Sequence, residues 1–379
     1  MKVQIETVYT RNLAMKVDLT AEAVKQFLWF FILATHNIYE EGVEMHIPDN
    51  YLSPSTCAVM GAAMIPVWSI AVSKVRKEIT KEKMPLMGVG AAFSFLIMMF
   101  NVPLPGGTTG HAVGGVLLAV LLGPYAACIS ISVALLLQAL LFGDGGVLAF
   151  GANCFNMAFV IPFLGYFVYK FIQERTSSVA GRYVGIAAGA YLGINLAALC
   201  AAIEFGIQPL LFRSASGQPL YCPYPLSVSV PAMTIPHLAV AGVVEVFFTL
   251  AIYAFIMKVS PDIIYKGAAK RIKLIYVLIV GLICASPLGL LAGGTAWGEW
   301  GVDEINSVTA GGQALGFIPQ GMQNGFKLET FMQDYAVKGL PDVAGYILSA
   351  LAGAAVLIIV FKIAGGLRKG KGDIAEGKV

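Results

Sequence analysis

The chain changes character near Ser53. From there apolar runs close to the roughly 20 residues that span a bilayer recur to the C-terminus, over about 53–73, 84–101, 111–123, 124–142, 152–172, 182–206, 231–258, 274–294 and 342–364. Nine such runs predict an all-α integral membrane protein of about nine transmembrane helices, because a segment in hydrocarbon has to satisfy its backbone hydrogen bonds internally. The third run is short and meets Gly123-Pro124, so it reads as a tilted or re-entrant piece. A basic stretch, KVSPDIIYKGAAKRIK (258–273), separates seven runs from a final pair. An acidic, aromatic-rich segment of about 45 residues joins that pair, from TAWGEWG to KGLPD. The layout predicts a seven-helix module, 45–258, followed by a two-helix hairpin, 259–379.

Loop charge orients the bundle, since Lys and Arg are retained on the cytoplasmic side. Eighteen of them follow the first, fifth, seventh and ninth runs, against three (Arg213, Lys327, Lys338) on the opposite side. The tail is therefore predicted inside, and the stretch before Ser53 outside, which agrees with nine crossings.

Composition strengthens this picture and excludes others. Of 379 residues, 58% are hydrophobic and 12% charged, far from the soluble range. The near balance of 25 basic and 22 acidic residues leaves no basic domain for nucleic acid. Six cysteines lie in or beside apolar runs with no CxxC pair, which reads as packing. The nearest match to a phosphate-binding loop, Gly365-x-x-x-x-Gly370-Lys371, has Gly372 where a Ser or Thr is required and lies in a charged tail. No nucleophile elbow or HExxH occurs, so the chain is not predicted to be an enzyme.

Residues 1–44 fit neither part. Their one apolar stretch, FLWFFILAT, is too short to span and is followed by IYEEGVE in place of a small-residue cleavage site. Back-translation of Glu41-Gly42 permits a purine-rich string of ribosome-binding type just before the Met45 codon. We therefore expect Met45 to be the initiator and 1–44 a mis-assigned or dispensable extension, the alternative being an arm lying on the outer surface.

A start at Met45 puts a histidine at position two, on the outer side. The imidazole and backbone amide of His46, with the α-amine of Met45, can close on one ion as a fused chelate. Such in-plane nitrogen suits Ni(II) or Cu(II), with Co(II) admitted, better than the oxygen-seeking Mg(II) or Ca(II). Pro48 restricts the backbone and offers no competing N–H. His111, in the outer stretch NVPLPGGTTGHAVGG, could complete a four-nitrogen plane; each histidine alone also fits an ordinary surface or membrane-boundary residue. Asn153 and Asn156, three apart on one helix face, suit either support of the bound segment or interhelical hydrogen bonds, as does Gln138. His237 and Glu245 lie about 12 Å apart along the seventh run, too far to share an ion, and an intramembrane carboxylate suggests a conformational or transit role. His36 lies in the extension and is given no role. Gly181, Gly185, Gly189 and Gly193 form a close-packing stripe, within the module or toward a partner.

The segments MHIPDNYLSP (45–54), PLPGGTTGHAVGG (103–115), QALLFGDGGVLAFGANCFNMAF (138–159) and PHLAVAGVVEV (236–246) together resemble the CbiM/NikM family, the substrate-specific membrane components of energy-coupling factor transporters for cobalt and nickel. The final pair of runs, with GTAWGEWG, resembles the small N-type component fused behind it, although SPLGLLAGG replaces the usual Pro-Asp-Gly signature. The resemblance implies a substrate-binding module over 45–258 and an N-type hairpin over 259–379. It implies that Ni²⁺ or Co²⁺ is transported substrate, held by Met45, His46 and His111, with no prosthetic group. It further implies a transmembrane coupling subunit and two cytoplasmic ATPases as partners, in the cell inner membrane. A retained extension would turn the Met45 amine into an amide and remove a ligand. The rivals are a vitamin-type component of the same transporter group, which needs an aromatic-lined pocket and no histidine pair, and a membrane metal sensor or metalloenzyme, for which only Glu245 and Asp144 are candidate acid–base groups.

Overall fold

The computed structural model describes residues 46–105, 108–176, 178–261, 272–292, 295–302, 304–309 and 314–367. The extension, Met45, most of the 258–273 loop and the tail lie outside these residues. Seven helices are long and apolar enough to cross a membrane: α1 (Pro54–Glu78), α4 (Pro124–Phe142), α5 (Phe150–Thr176), α6 (Val179–Leu211), α7 (Leu226–Val259), α8 (Lys273–Leu291) and α9 (Asp342–Gly366). Two shorter apolar helices, α2 (Met84–Met98) and α3 (Gly115–Leu122), complete the nine expected runs. The third run is shorter than its apolar residues suggest because residues 108–110 form strand β2, paired antiparallel with β1 (102–104), and helix begins only after Gly114.

Local chemistry sets several boundaries. Ser53 caps α1, its hydroxyl accepting from Thr56 N at 3.1 Å, and Pro54 takes the first turn, where a missing N–H costs nothing. Within α4, α5 and α7 a π turn interrupts the α-helix, at Gln138–Phe142, Cys154–Val160 and His237–Ala241. Such wide turns re-aim side chains and gather at functional sites.

The glycine stripe packs within the module. A Cβ on Gly185, Gly189 or Gly193 of α6 would run into backbone oxygens of α5, at Tyr169, Gly165 and Ile161 respectively. Close backbone approach is what small residues provide where lipid supplies no hydrophobic drive between helices. The final helix α9 packs on α2: a Cβ on Gly88 would lie 2.9 Å from Cβ of Phe361, and one on Gly353 would strike the Phe95 ring. Among the described residues the cysteines are free, and Cys57, Cys128, Cys154 and Cys222 are buried, as packing residues should be.

Candidate metal centre

The segment from His46 to Ser53 is strapped to four neighbouring parts of the fold. Asn153 of α5 brackets Ile47, donating to its carbonyl at 3.0 Å and accepting from its N–H at 3.1 Å. Gly146 N adds a 2.8 Å bond to the same carbonyl. The Asp49 carboxylate accepts from Val147 N and Leu148 N, at 3.1 and 2.7 Å. Burial pushes that carboxyl up, and these backbone donors offset part of the shift. Asn50 pairs with both backbone groups of Phe326 in the segment before α9, at 2.7 and 2.8 Å. Cys222 N bonds Tyr51 O at 2.9 Å, and Ser53 N bonds Gln208 Oε1 at 3.0 Å. Asp and Asn suit this role because their short side chains reach backbone groups directly.

The strap holds His46 in a fixed, nearly buried position, 2% exposed. Its ring lies edge-on to that of His111, with centroids 5.0 Å apart and planes inclined by 68°. His111 follows β2 directly, with Nδ1 3.2 Å from Ala112 O. Both imidazoles line a cavity of about 100 Å³, whose walls also include Asn156, Met157, His237 and Trp297. Among the described residues, buried polar atoms of its lining such as His46 Nε2, Thr109 Oγ1 and Asn156 Oδ1 have no hydrogen-bond partner. Each such atom costs roughly 1–3 kcal/mol unless something in the cavity pairs with it. The wall therefore suits a cation with its water. Among the described residues no three His, Cys, Asp or Glu side chains converge as a metal site.

The other ring nitrogen is engaged. His46 Nδ1 lies 2.8 Å from Asp144 Oδ1, a buried pair. The far oxygen of Asp144 accepts from Gln138 Nε2 at 3.1 Å and from the Tyr335 hydroxyl. Gln138 Nε2 also donates to the Tyr335 hydroxyl at 2.9 Å. Burial by itself would raise the Asp144 carboxyl; the imidazole of His46 and the hydrogen bonds from His46 and Tyr335 outweigh it and hold the group below its ordinary value. Since Tyr335 belongs to the segment before α9, the hairpin region reaches the histidine through one carboxylate.

The family model described as "Cobalt uptake substrate-specific transmembrane region", CbiM, matches residues 46–263, and the PDGLE domain matches 271–370. The chain belongs to the CbiM family. It is similar to the probable fused nickel transport protein LarMN of Lactiplantibacillus plantarum, 53% identical over 324 residues, 85% of this chain and 97% of that one. It is also similar to the fused nickel transport protein NikMN of Rhodobacter capsulatus, 46% identical over 341 residues and 98% of its length. A solved structure described as a truncated transition metal transporter is 56% identical, with a TM-score of 0.54, and covers 56% of this chain and 99% of its own. The recognised resemblance and the helical membrane fold are thus established, together with a cobalt/nickel transport role at the level of the family.

Within this CbiM-type chain the predicted residues separate. His46, His111, Asn153 and Asn156 meet at one cavity, and His237 is part of the same lining, its Nδ1 bonded to Met233 O at 2.7 Å. Glu245 lies outside the cavity lining and binds the backbone at 113–114. Asn156 turns its amide to Glu204 Oε2 at 3.0 Å, a buried acid the sequence analysis did not single out. Asp49, Asn50 and Tyr335 were also missed. Glu204 was legible as an acid inside an apolar run. Tyr335, about 190 positions from its partners, left no local signal.

Proposed function

We propose that this protein is the substrate-binding membrane component of an energy-coupling factor importer for Ni²⁺ or Co²⁺, capturing the ion on the outer face with the Met45 amine, His46 and His111. The observation that carries this reading is the pairing of two imidazoles, 5.0 Å apart, at the end of a strapped segment that begins one residue after Met45. Residues 45–258 form the binding module and 259–379 the N-type hairpin. The basic loops face the cytoplasm of the inner membrane, where a transmembrane coupling subunit and two ATPases supply the energy. The chain itself carries out no hydrolysis.

The chain holds and orients. Asn153 and Asp49 fix the path of 47–49, Pro48 stiffens it, and His111 closes the site from the other side. A fused chelate of His46 must use Nδ1, because only that nitrogen closes a six-membered ring with the residue's own amide. Loading therefore exchanges the Asp144 hydrogen bond for the ion. A second reading has a specific observation in its favour: among the described residues Nε2 has no hydrogen-bond partner, and an ion taken there would leave Asp144 as the carboxylate that orients the ligating imidazole.

The test is the affinity for Ni²⁺ and Co²⁺, and the bound content, of purified protein beginning at Met45 beside protein beginning at Met1. Tight one-to-one binding by the shorter form alone supports the amine ligand and a spurious or removed extension. Equal binding by both overturns that ligand set. Loss of binding in His111→Ala supports the histidine pair, and retention would favour a site of vitamin type.

A further inference from the structure

Glu245 is fully buried on α7, and among the described residues it makes no ion pair. Its carboxylate is spent on the backbone. Val113 N donates to Oε2 at 2.7 Å, and Gly114 N donates to both oxygens at 3.1 and 3.2 Å, with Thr249 Oγ1 3.4 Å from Oε1. These amides stand just before α3 and two to three residues after His111. The conformation they hold is special: Gly114 has φ +69°, and a Cβ there would lie 2.6 Å from the Phe93 ring. From the other side Ser94 Oγ donates to Val113 O at 2.8 Å. His111 is thus suspended between the end of β2 and a turn whose amide groups face one carboxylate on another helix. That helix is not a plain rod, because Pro231, Pro236 and the π turn His237–Ala241 lie just before Glu245, and such breaks let the parts of a helix shift against each other.

We propose that Glu245 is the positioning residue for His111: by holding the backbone of 113–114 it makes the place of His111 depend on the place of α7, so that a movement of α7 opens or closes the metal site. This rests on His111 being a ligand, and the experiment separates the two claims. Ni²⁺ is titrated into the purified chain beginning at Met45, as wild type, His111→Ala, Glu245→Gln and the double variant, with the absorption spectrum of bound Ni²⁺ recorded. Glu245→Gln keeps one acceptor oxygen and should weaken binding by roughly 10–100-fold, the range found when a group supporting a ligand is lost. Its spectrum should move toward that of His111→Ala, and adding it to His111→Ala should cost nothing further, since both act through one ligand. Wild-type binding by Glu245→Gln, or a loss that adds in full to that of His111→Ala, overturns the proposal. Wild-type binding by His111→Ala removes the ligand reading and this inference with it. Where Glu245→Gln is recovered in low yield, Thr249→Val gives a milder form of the same test, with a loss of a few-fold that likewise vanishes in the His111→Ala background; a loss that persists there overturns the proposal.

Discussion

At the residue scale the centre depends on short polar side chains that bind backbone. Asn153 binds both groups of Ile47 while itself 4% exposed, so Asn153→Ala takes away the partner of the Ile47 N–H, leaves its carbonyl to Gly146 N, and loosens the strap beside His46. Metal affinity should fall by roughly 10–100-fold with the helical bundle intact, read by titration beside circular dichroism. In the proposed site, changing Asp144 distinguishes the two nitrogens of His46 as the ligand. If Nδ1 enters a chelate, Asp144→Asn removes a competitor and affinity holds or rises; if Nε2 binds, the same change lowers affinity by roughly 10–100-fold. Protons compete at the same atoms. In the proposed ligand set the α-amine of Met45, with an ordinary value of about 7.7–8, has to be deprotonated to bind, so the affinity of protein beginning at Met45 should drop steadily from pH 8 to 5.5. A flat profile across that range would remove the amine from the ligand set.

At the element scale the π turns and the glycine stripe have separate consequences. The π turn of α5 spans Cys154–Val160, so Asn153 just before it faces the strap while Asn156 within it faces Glu204. An uninterrupted helix would aim two residues three apart the same way, which is the geometry the spacing alone suggested. The stripe on α6 lets its backbone approach that of α5 until Gly189 meets the carbonyl of Gly165. Gly189→Ala introduces a methyl group where backbone must move, and should destabilise the bundle by about 1–3 kcal/mol. A lowered midpoint in thermal unfolding of the detergent-solubilised protein would register it. An unchanged midpoint would mean that the two helices separate more easily than their packing indicates.

At the scale of the whole molecule the C-terminal part is joined to the candidate metal centre through Tyr335 and Asp144. Asp334 and Tyr335 hold positive φ, of 53° and 61°, a conformation that non-glycine residues keep only when their surroundings impose it. Tyr335 is buried, stacked 4.8 Å from Phe142, with its carbonyl bonded by Ser349 of α9 and its hydroxyl on Asp144. Tyr335→Phe preserves the packing and removes that hydroxyl. It should lower stability by about 1–3 kcal/mol and shift the metal affinity of the site more than 190 residues earlier, both measurable on the same preparation. Loss of stability without any change at the metal would reduce the connection to packing.

Apolar run length, the basic loops and the acidic residues inside helices were all readable along the chain, because in a membrane each span must be apolar over its own length and must satisfy its own backbone. Hence the nine runs, the separate final pair and the candidates His46 and His111 follow from the sequence. The Met45-His46 neighbourhood is a local fact of covalent structure, and so was also visible there. What the tertiary structure decided are the partners: Asn153 on Ile47, Asp144 between His46 and Tyr335, Glu245 on the turn after His111, and the stripe of α6 against α5. Hydrogen bonds between residues about 100 to 190 positions apart, and close backbone contacts between neighbouring helices, depend on how helices are tilted, interrupted and stacked, and no periodicity along one helix encodes its neighbour.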